Sequence, residues 1–175
     1  MVIRKLGVIS CLVFSSISLA QDYSVYQSFS ANAEEQLGIH LGTGLGWKNN
    51  QNISHFIGPE VGVKFDFLPK EDGTFKRQER IELLGSYQLV RKVNDFAWSN
   101  KFYAGGSRLP IDNQPERTIA ILGVQTGFGE MVNDKYFGLM MGLRFNSVDS
   151  SKPTKVGGRD VDQALLYFGI EGILP

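Results

Sequence analysis

The residues of this sequence that are suited to acyl chemistry are few and lie in its first seventy positions. His40 and His55 are the two histidines, and a histidine next to a serine and a carboxylate can activate the serine hydroxyl for acyl transfer. If this part of the chain is extended, Ser28 and Asp66 face the same side as His40, at similar heights on neighbouring strands. These three residues are candidates, but no catalytic role is assigned to them, because their spacing fits no acyl-hydrolase motif. The alternatives are a hydrogen-bonded interior histidine for His40 and a residue at a turn for His55.

Other chemistries find less support in the sequence. No second histidine or cysteine is spaced to complete a metal site, and Cys11 is the only cysteine. Gly42, Gly44 and Gly46 alternate, but no helical pattern follows them as a phosphate-binding loop requires. Lys plus Arg and Asp plus Glu number 18 each, which leaves no basic footprint for nucleic acid. We therefore expect no metal, no cofactor and no nucleic-acid partner.

The residues above must be positioned by strands, because the hydrophobic pattern has a period of two. In residues 60–67, Val61, Val63, Phe65 and Phe67 share one face of an extended chain, and a glycine and charged residues share the other. The same alternation recurs and predicts eight strands, at residues 23–31, 36–47, 55–68, 80–90, 96–104, 118–128, 136–146 and 163–174. Their lengths suit membrane-spanning strands, which need about 9 to 11 residues.

The first twenty residues read as a secretory signal peptide. Arg4 and Lys5 precede an apolar stretch from Leu6 to Phe14, and Ser18-Leu19-Ala20 is a small-x-small cleavage site. The apolar stretch is shorter than the ~20 residues of a spanning helix, which disfavours the alternative of an uncleaved anchor. We expect a signal peptide at 1–20 and one domain at 21–175.

Three features place the apolar face outside a closed barrel rather than inside a lipocalin-like carrier. Glycines collect on the polar face, where the lumen of an eight-stranded barrel has little room. If both termini are periplasmic, the short connections are periplasmic and the long polar ones external. Aromatic residues gather near both ends of the apolar face, as in the girdles of membrane barrels. The girdle residues are Trp47, Tyr87, Phe96, Trp98, Phe128 and Phe137 near the short turns, and Phe65, Phe67, Phe102 and Phe145 near the long loops.

The polar face carries charges of both signs, which we expect to neutralise one another in the lumen, because unpaired buried charge is costly. The predicted lumen network consists of Glu60, Lys64, Asp66, Arg80, Glu82, Lys101, Arg144 and Glu171. The alternative is a narrow, porin-like ion path, although a barrel of this size is normally filled by its side chains.

With this pattern, residues 21–175 resemble the small outer-membrane barrels typified by the transmembrane domain of outer membrane protein A. The resemblance lies in architecture rather than in a diagnostic motif. It implies an eight-stranded antiparallel up-and-down transmembrane β-barrel in the outer membrane of a Gram-negative cell envelope, inserted by the barrel-assembly machinery and surrounded by outer-membrane lipid and lipopolysaccharide. Such proteins usually end in an aromatic residue, whereas this chain ends Ile173-Leu174-Pro175.

Function is predicted less sharply than fold. We expect a structural or surface-interaction role, with a surface ligand held by the external loops at residues 69–79, 105–117 and 147–162, since function concentrates on loops carried by a rigid scaffold. One alternative is a barrel enzyme that resembles lipid A-modifying acyl hydrolases or acyltransferases. In that hydrolase family the catalytic serine follows the histidine by two residues, where this chain has Gly42 and Ile57. The other alternative is the soluble periplasmic carrier.

Overall fold

The protein is described by a computed structural model. It describes residues 23–33, 37–69, 75–111, 114–148, 155–156, 159–160 and 163–175, with side chains for 23–33, 37–65, 79–108, 118–147 and 164–175. The strands are β1 (Tyr23–Ala33), β2 (Leu37–Asn50), β3 (Ile53–Pro69), β4 (Phe75–Val93), β5 (Phe96–Ile111), β6 (Gln114–Val132), β7 (Lys135–Val148), β8 (Lys155–Val156), β9 (Arg159–Asp160) and β10 (Gln163–Leu174). Within these ranges there is no helix of the length and apolarity that crossing a membrane requires.

Eight of the strands form one closed antiparallel barrel, which confirms the predicted all-β architecture. Neighbours around the barrel follow the order β1-β10-β7-β6-β5-β4-β3-β2. The barrel closes because β1 pairs with β2 on one side and with β10 on the other, where Ser28 lies opposite Ile173. β8 and β9 form a separate two-stranded sheet, inserted in the chain between β7 and β10.

Side chains alternate between the two sides of the barrel wall, as the period of two requires. In β7, Phe137, Leu139 and Phe145 are about half exposed or more, while Met140 and Arg144 are buried. The same alternation runs through the other long strands, so the apolar positions face outward and most charged positions of the strand centres face inward.

One end of the barrel has tight turns, and we call it the short-turn end. Asn133 and Asp134, between β6 and β7, both have positive φ, of 48° and 64°. That backbone twist suits the connection of two antiparallel strands, and asparagine and aspartate tolerate it better than most residues. Asn94, between β4 and β5, has φ 57°. The opposite end, where the longer connections lie, is called the long-loop end.

The predicted loops at residues 69–79 and 105–117 are wrong in their bounds. β4 begins at Phe75, β5 continues to Ile111 and β6 begins at Gln114, so most of both segments is strand. The third segment, 147–162, contains the small β8–β9 sheet. Polar residues in these extensions lack an apolar face that would have signalled a strand, yet their backbones pair in the same ladders, as Pro69 does with Phe75.

Three aromatic residues of the outer face form a cluster near the short-turn end, while Phe145 lies outward three residues from the long-loop end of β7. Phe128 stacks on Phe96 with ring centroids 5.2 Å apart and meets Trp98 edge-on at 5.3 Å. One predicted position is wrong: Phe102 is the direct cross-strand partner of Tyr87, so these two rings do not lie at opposite ends of the barrel. The sequence could not show this, because it does not reveal how β4 and β5 are staggered. The side chain of Phe67 lies outside the described residues.

Candidate functional site in the barrel interior

Glu82 is the centre of a buried ionic cluster towards the long-loop end. Arg144 approaches its carboxylate with both terminal nitrogens, Nη1 donating to Oε2 at 2.8 Å and Nη2 to Oε1 at 2.6 Å. His40 Nε2 lies 3.0 Å from Oε2, and Arg80 Nη2 lies 3.4 Å from Oε1. All four side chains are at most 5% exposed. Such a forked arginine–carboxylate pair is the strongest kind of protein hydrogen bond, and it ties β2, β4 and β7 together across the lumen.

Glu60 forms a second ion pair inside the barrel. Lys101 Nζ lies 2.6 Å from Oε1 and donates to Oε2 at 2.7 Å. The Ser86 hydroxyl donates to Oε1 at 2.7 Å. Gly42 leaves the room that this carboxylate needs, because a Cβ there would lie 2.8 Å from Glu60 Cγ. The two buried charges therefore neutralise each other.

Glu171 forms a third buried cluster, in which the observed donors are neutral. Its carboxylate accepts hydrogen bonds from the Gln88 amide at 2.9 Å, from the Tyr136 hydroxyl at 3.0 Å and from the Gln125 amide. Tyr167 extends the network by donating to Gln125 Oε1 at 2.9 Å. Glu171 is 97% buried, so these donors replace the hydrogen bonds that its carboxylate would make to water.

Apolar side chains fill the lumen between and beyond these polar clusters. Towards the short-turn end, Tyr26 and Phe56 meet edge-on with centroids 4.9 Å apart. They belong to a buried cluster with Val90, Ala97, Tyr136 and Ile173. A second buried cluster contains Leu84, Tyr103, Ile119, Ile121, Met140 and Tyr167. Among the described residues, these two clusters and the polar groups between them occupy the interior of the barrel.

Inward-facing glycines leave the space that the larger lumen side chains occupy. A Cβ on Gly62 would overlap the imidazole of His40, and one on Gly123 would overlap the ring of Tyr103. Gly142 stands in the same relation to Tyr167. The sequence placed these glycines on the inner face, but their individual partners depend on the stagger between strands.

Seven of the eight predicted lumen residues have described side chains, and all seven are buried. Glu60, Lys64, Arg80, Glu82, Lys101, Arg144 and Glu171 all lie inside the barrel and are at most 5% exposed. The side chain of Asp66 lies outside the described residues; its backbone pairs with Gln78. The sequence did not single out Gln88, Gln125 or Tyr136, which hold Glu171. These residues occupy the alternate strand positions that face inward, which was a signal for them. Neutral polar residues at such positions are common, however, so the signal is not specific.

The described contacts do not join His40 to Ser28, and the side chain of Asp66, the third residue considered for acyl chemistry, lies outside the described residues. His40 binds Glu82, and its cross-strand neighbours are Ser30 and Gly62. Ser28 lies opposite Gly42, two residues further along β2. The register of β1 and β2, in which Ala33 pairs with Leu37, puts Ser30 rather than Ser28 beside His40, and sequence reasoning missed this. His40 therefore serves the ionic cluster in this structure.

His55, for which a position at a turn was the alternative, is the third residue of β3 and faces outward. Its ring stacks on Trp47 at 5.1 Å with an interplanar angle of 6°. Its Nδ1 and the Tyr87 hydroxyl share a hydrogen bond of 2.7 Å. This trio occupies the short-turn end of the outer face. Among the described residues, no group of histidine, cysteine and carboxylate side chains is arranged to hold a metal ion.

Comparison of the chain with protein-family models, with curated proteins and with solved structures finds no match.

Proposed function

We propose that this protein is an integral outer-membrane β-barrel with a side-chain-filled lumen and a structural or surface-interaction role. The observation that carries the proposal is the inverted distribution of polarity across the barrel wall. Leu139 is 71% exposed and Val25 69%, while Lys64 and Glu82 are completely buried. Lipid accepts such an apolar outer face, whereas a water-soluble protein rarely exposes apolar patches of this extent.

The exposed apolar side chains form a band around the barrel rather than a single patch. They occur on every long strand, at 40% to 71% exposure, and include Leu41, Val61, Leu83, Phe102, Leu122, Leu139 and Phe168. A carrier with an apolar ligand cavity would need the reverse arrangement. Its pocket would hold the hydrophobic side chains, and the charged ones would meet water.

The filled lumen favours a structural or surface role over conduction. Ionic, hydrogen-bonded and aromatic layers succeed one another between the long-loop end and the short-turn end. An eight-stranded barrel offers little interior space beyond its side chains. A surface partner would then be recognised by the connections at the long-loop end, which face outside the cell in this orientation.

Membrane fractionation of a Gram-negative host that expresses the full chain tests the location. The protein should remain in the outer-membrane fraction after urea extraction and migrate faster on a gel when unheated than when boiled. Its mature N-terminus should be Gln21 after removal of the signal peptide. Recovery in the soluble periplasmic fraction would show instead that the barrel is a carrier.

The surface role is tested by deleting residues 150–160. β7 ends at Val148 and β10 begins at Gln163, so the deletion spares the barrel ladders. Unboiled migration on a gel verifies that the shortened barrel folds. Binding of whole cells to any surface ligand of the intact protein should then be lost, and retained binding would contradict a role for this connection.

A further inference from the structure

A pocket of about 430 Å³ lies on the outer face of β1, β6, β7 and β10, near the short-turn end. Its floor includes Gly129, Gly138 and Glu171. These residues occupy inward-facing strand positions, so they border an outer-face pocket with their main chain. The walls are apolar side chains, namely Phe29, Phe128, Val132, Phe137, Leu139 and Ile170.

The walls follow two rows of outward positions that cross the strands. In the row nearer the short-turn end, Gly172 lies opposite Phe29 on one side and Phe137 on the other. A Cβ on Gly172 would overlap the ring of Phe29, so the two rings approach each other over the glycine, with centroids 5.9 Å apart. Leu139 belongs to the next row, in which it pairs with Phe128 and with Ile170.

Two charged side chains border the pocket on the side of the short turn. Lys135 is the first residue of β7 and lies opposite Val132, while Glu130 of β6 lies opposite Phe137. Both side chains are exposed on the outer face. Within the part of the chain whose side chains are described, neither forms an ion pair, with the other or with a third residue. The pocket therefore presents one cation and one anion to a ligand.

A ligand that complements this pocket has an apolar chain, an anionic group and a cationic group. The Lys135 ammonium donates to a phosphate oxygen, and the Glu130 carboxylate accepts from a primary ammonium. Such charge-assisted hydrogen bonds are about twice as strong as neutral ones. A phospholipid with a phosphoethanolamine headgroup carries all three parts. A lipid with phosphate alone would gain the contact to Lys135 but would be repelled by Glu130.

From this complementarity we propose that the pocket beside the β6–β7 turn binds a phospholipid with a phosphoethanolamine headgroup. The phosphate lies beside Lys135, the ammonium beside Glu130, and the start of an acyl chain between Phe128 and Phe137. The four residue steps from the Val132–Lys135 pair to the Phe128–Leu139 pair span about 13 Å at ~3.3 Å per residue. The proposal rests on the outer-membrane location proposed above, in which the pocket lies in the periplasmic leaflet.

Native mass spectrometry of the mature protein in detergent micelles tests the proposal, with phosphatidylethanolamine or phosphatidylglycerol of the same acyl chains as the probe. The unaltered protein should bind phosphatidylethanolamine in preference. Glu130→Gln should remove this preference, because the ammonium loses its carboxylate. Lys135→Gln should weaken the binding of both lipids about fivefold, the effect of one basic residue near a lipid phosphate. Phe137→Ala removes a wall of the pocket and should also weaken the binding of both lipids.

Asp95→Asn and Arg91→Gln are the matched controls for the charges, because both residues are exposed at the β4–β5 end and do not line the pocket. Phe102→Ala is the control for the wall, since Phe102 is 57% exposed on another part of the outer face. All three controls should bind both lipids like the unaltered protein, and unboiled migration on a gel verifies that each variant folds.

Equal binding of the two lipids by the unaltered protein would overturn the proposal, and so would a folded Glu130→Gln variant that keeps the preference. A dimer that Phe137→Ala dissociates would also overturn it, because the pocket would then belong to a contact between two copies of the chain. Each of these results is distinct from failure of the membrane location, which fractionation of the unaltered protein reports.

Discussion

Glu82 is the residue whose environment is most demanding, because it pairs with two guanidinium groups at a fully buried position. Arg144, Arg80 and His40 all contact its carboxylate. Glu171 offers a comparison within the same lumen: it is equally buried but is held by amide and phenol donors. The two carboxylates thus separate the effect of losing a charge from that of losing a hydrogen-bond acceptor.

We predict that Glu82→Gln destabilises the barrel far more than Glu171→Gln. The first variant leaves buried guanidinium groups without their counter-charge, which costs about 3 to 5 kcal/mol. The second weakens hydrogen bonds from neutral donors, which costs about 1 to 3 kcal/mol. Urea unfolding of the barrel in detergent micelles, followed by tryptophan fluorescence, measures both. Equal losses would indicate that Glu82 acts through shape alone.

Gly62 leaves the space that the imidazole of His40 occupies, so a side chain at this position should be costly. Gly62→Ala should destabilise the barrel by about 1 to 3 kcal/mol, the usual range for overpacking, because the new methyl overlaps the His40 ring. Gly85→Ala is the control, since a Cβ there finds only Ala104 O, at 3.9 Å. The same unfolding assay compares them. A tolerated Gly62→Ala would show that His40 can leave its position over Gly62 without cost.

At the scale of the strand, the outer face should respond to charge according to depth. Met141 lies near the middle of β7 and faces outward, whereas Val132 is the last residue of β6 at the short-turn end. In a bilayer, an arginine costs about 2 to 4 kcal/mol at the midplane and about 0 to 1 near the interface. Met141→Arg should therefore destabilise the barrel in phospholipid vesicles much more than Val132→Arg.

Reversible unfolding of the reconstituted protein measures this difference. Both positions are about half exposed, at 45% and 60%, so in a water-soluble barrel both substitutions would be nearly neutral. Similar, small effects of the two arginines would therefore count against the membrane location itself.

The strands also show where sequence reasoning succeeds and where it stops. The alternation of apolar and polar residues located all eight barrel strands. A strand with one apolar and one polar face has a hydrophobic pattern with a period of two. The alternation failed beyond the apolar band: at Phe75–Glu79 and Gly105–Arg117 both faces are polar or mixed, and the backbone ladder leaves no mark on composition. It also could not place Phe102 beside Tyr87, because the stagger of two strands is a property of the closed barrel.

The same limit governs the interior at the scale of the whole molecule. The alternation of inward and outward positions along each strand identified the buried charges as a set. Which acid pairs with which base depends on the lumen geometry. Glu82 meets Arg144 across the barrel, 62 residues apart in sequence, and Lys101 meets Glu60 at a separation of 41. No local spacing encodes these pairs. His40 illustrates the consequence, since its partner proved to be Glu82 on β4, not a residue of the neighbouring strands.

Closure of the lumen is a property of the assembled barrel, and we expect it to have more than one barrier in series. Reconstituted in planar bilayers, the protein should carry no steady ionic current. Tyr26→Ala with Phe56→Ala opens only the apolar cluster towards the short-turn end and should leave the barrier intact, because the Glu60–Lys101 and Glu82–Arg144 pairs still fill the lumen beyond it. Adding Glu82→Ala and Arg144→Ala to that variant should produce a leak. Steady conductance by the unaltered protein, insensitive to these substitutions, would mean that ions follow a path other than the one these side chains occupy.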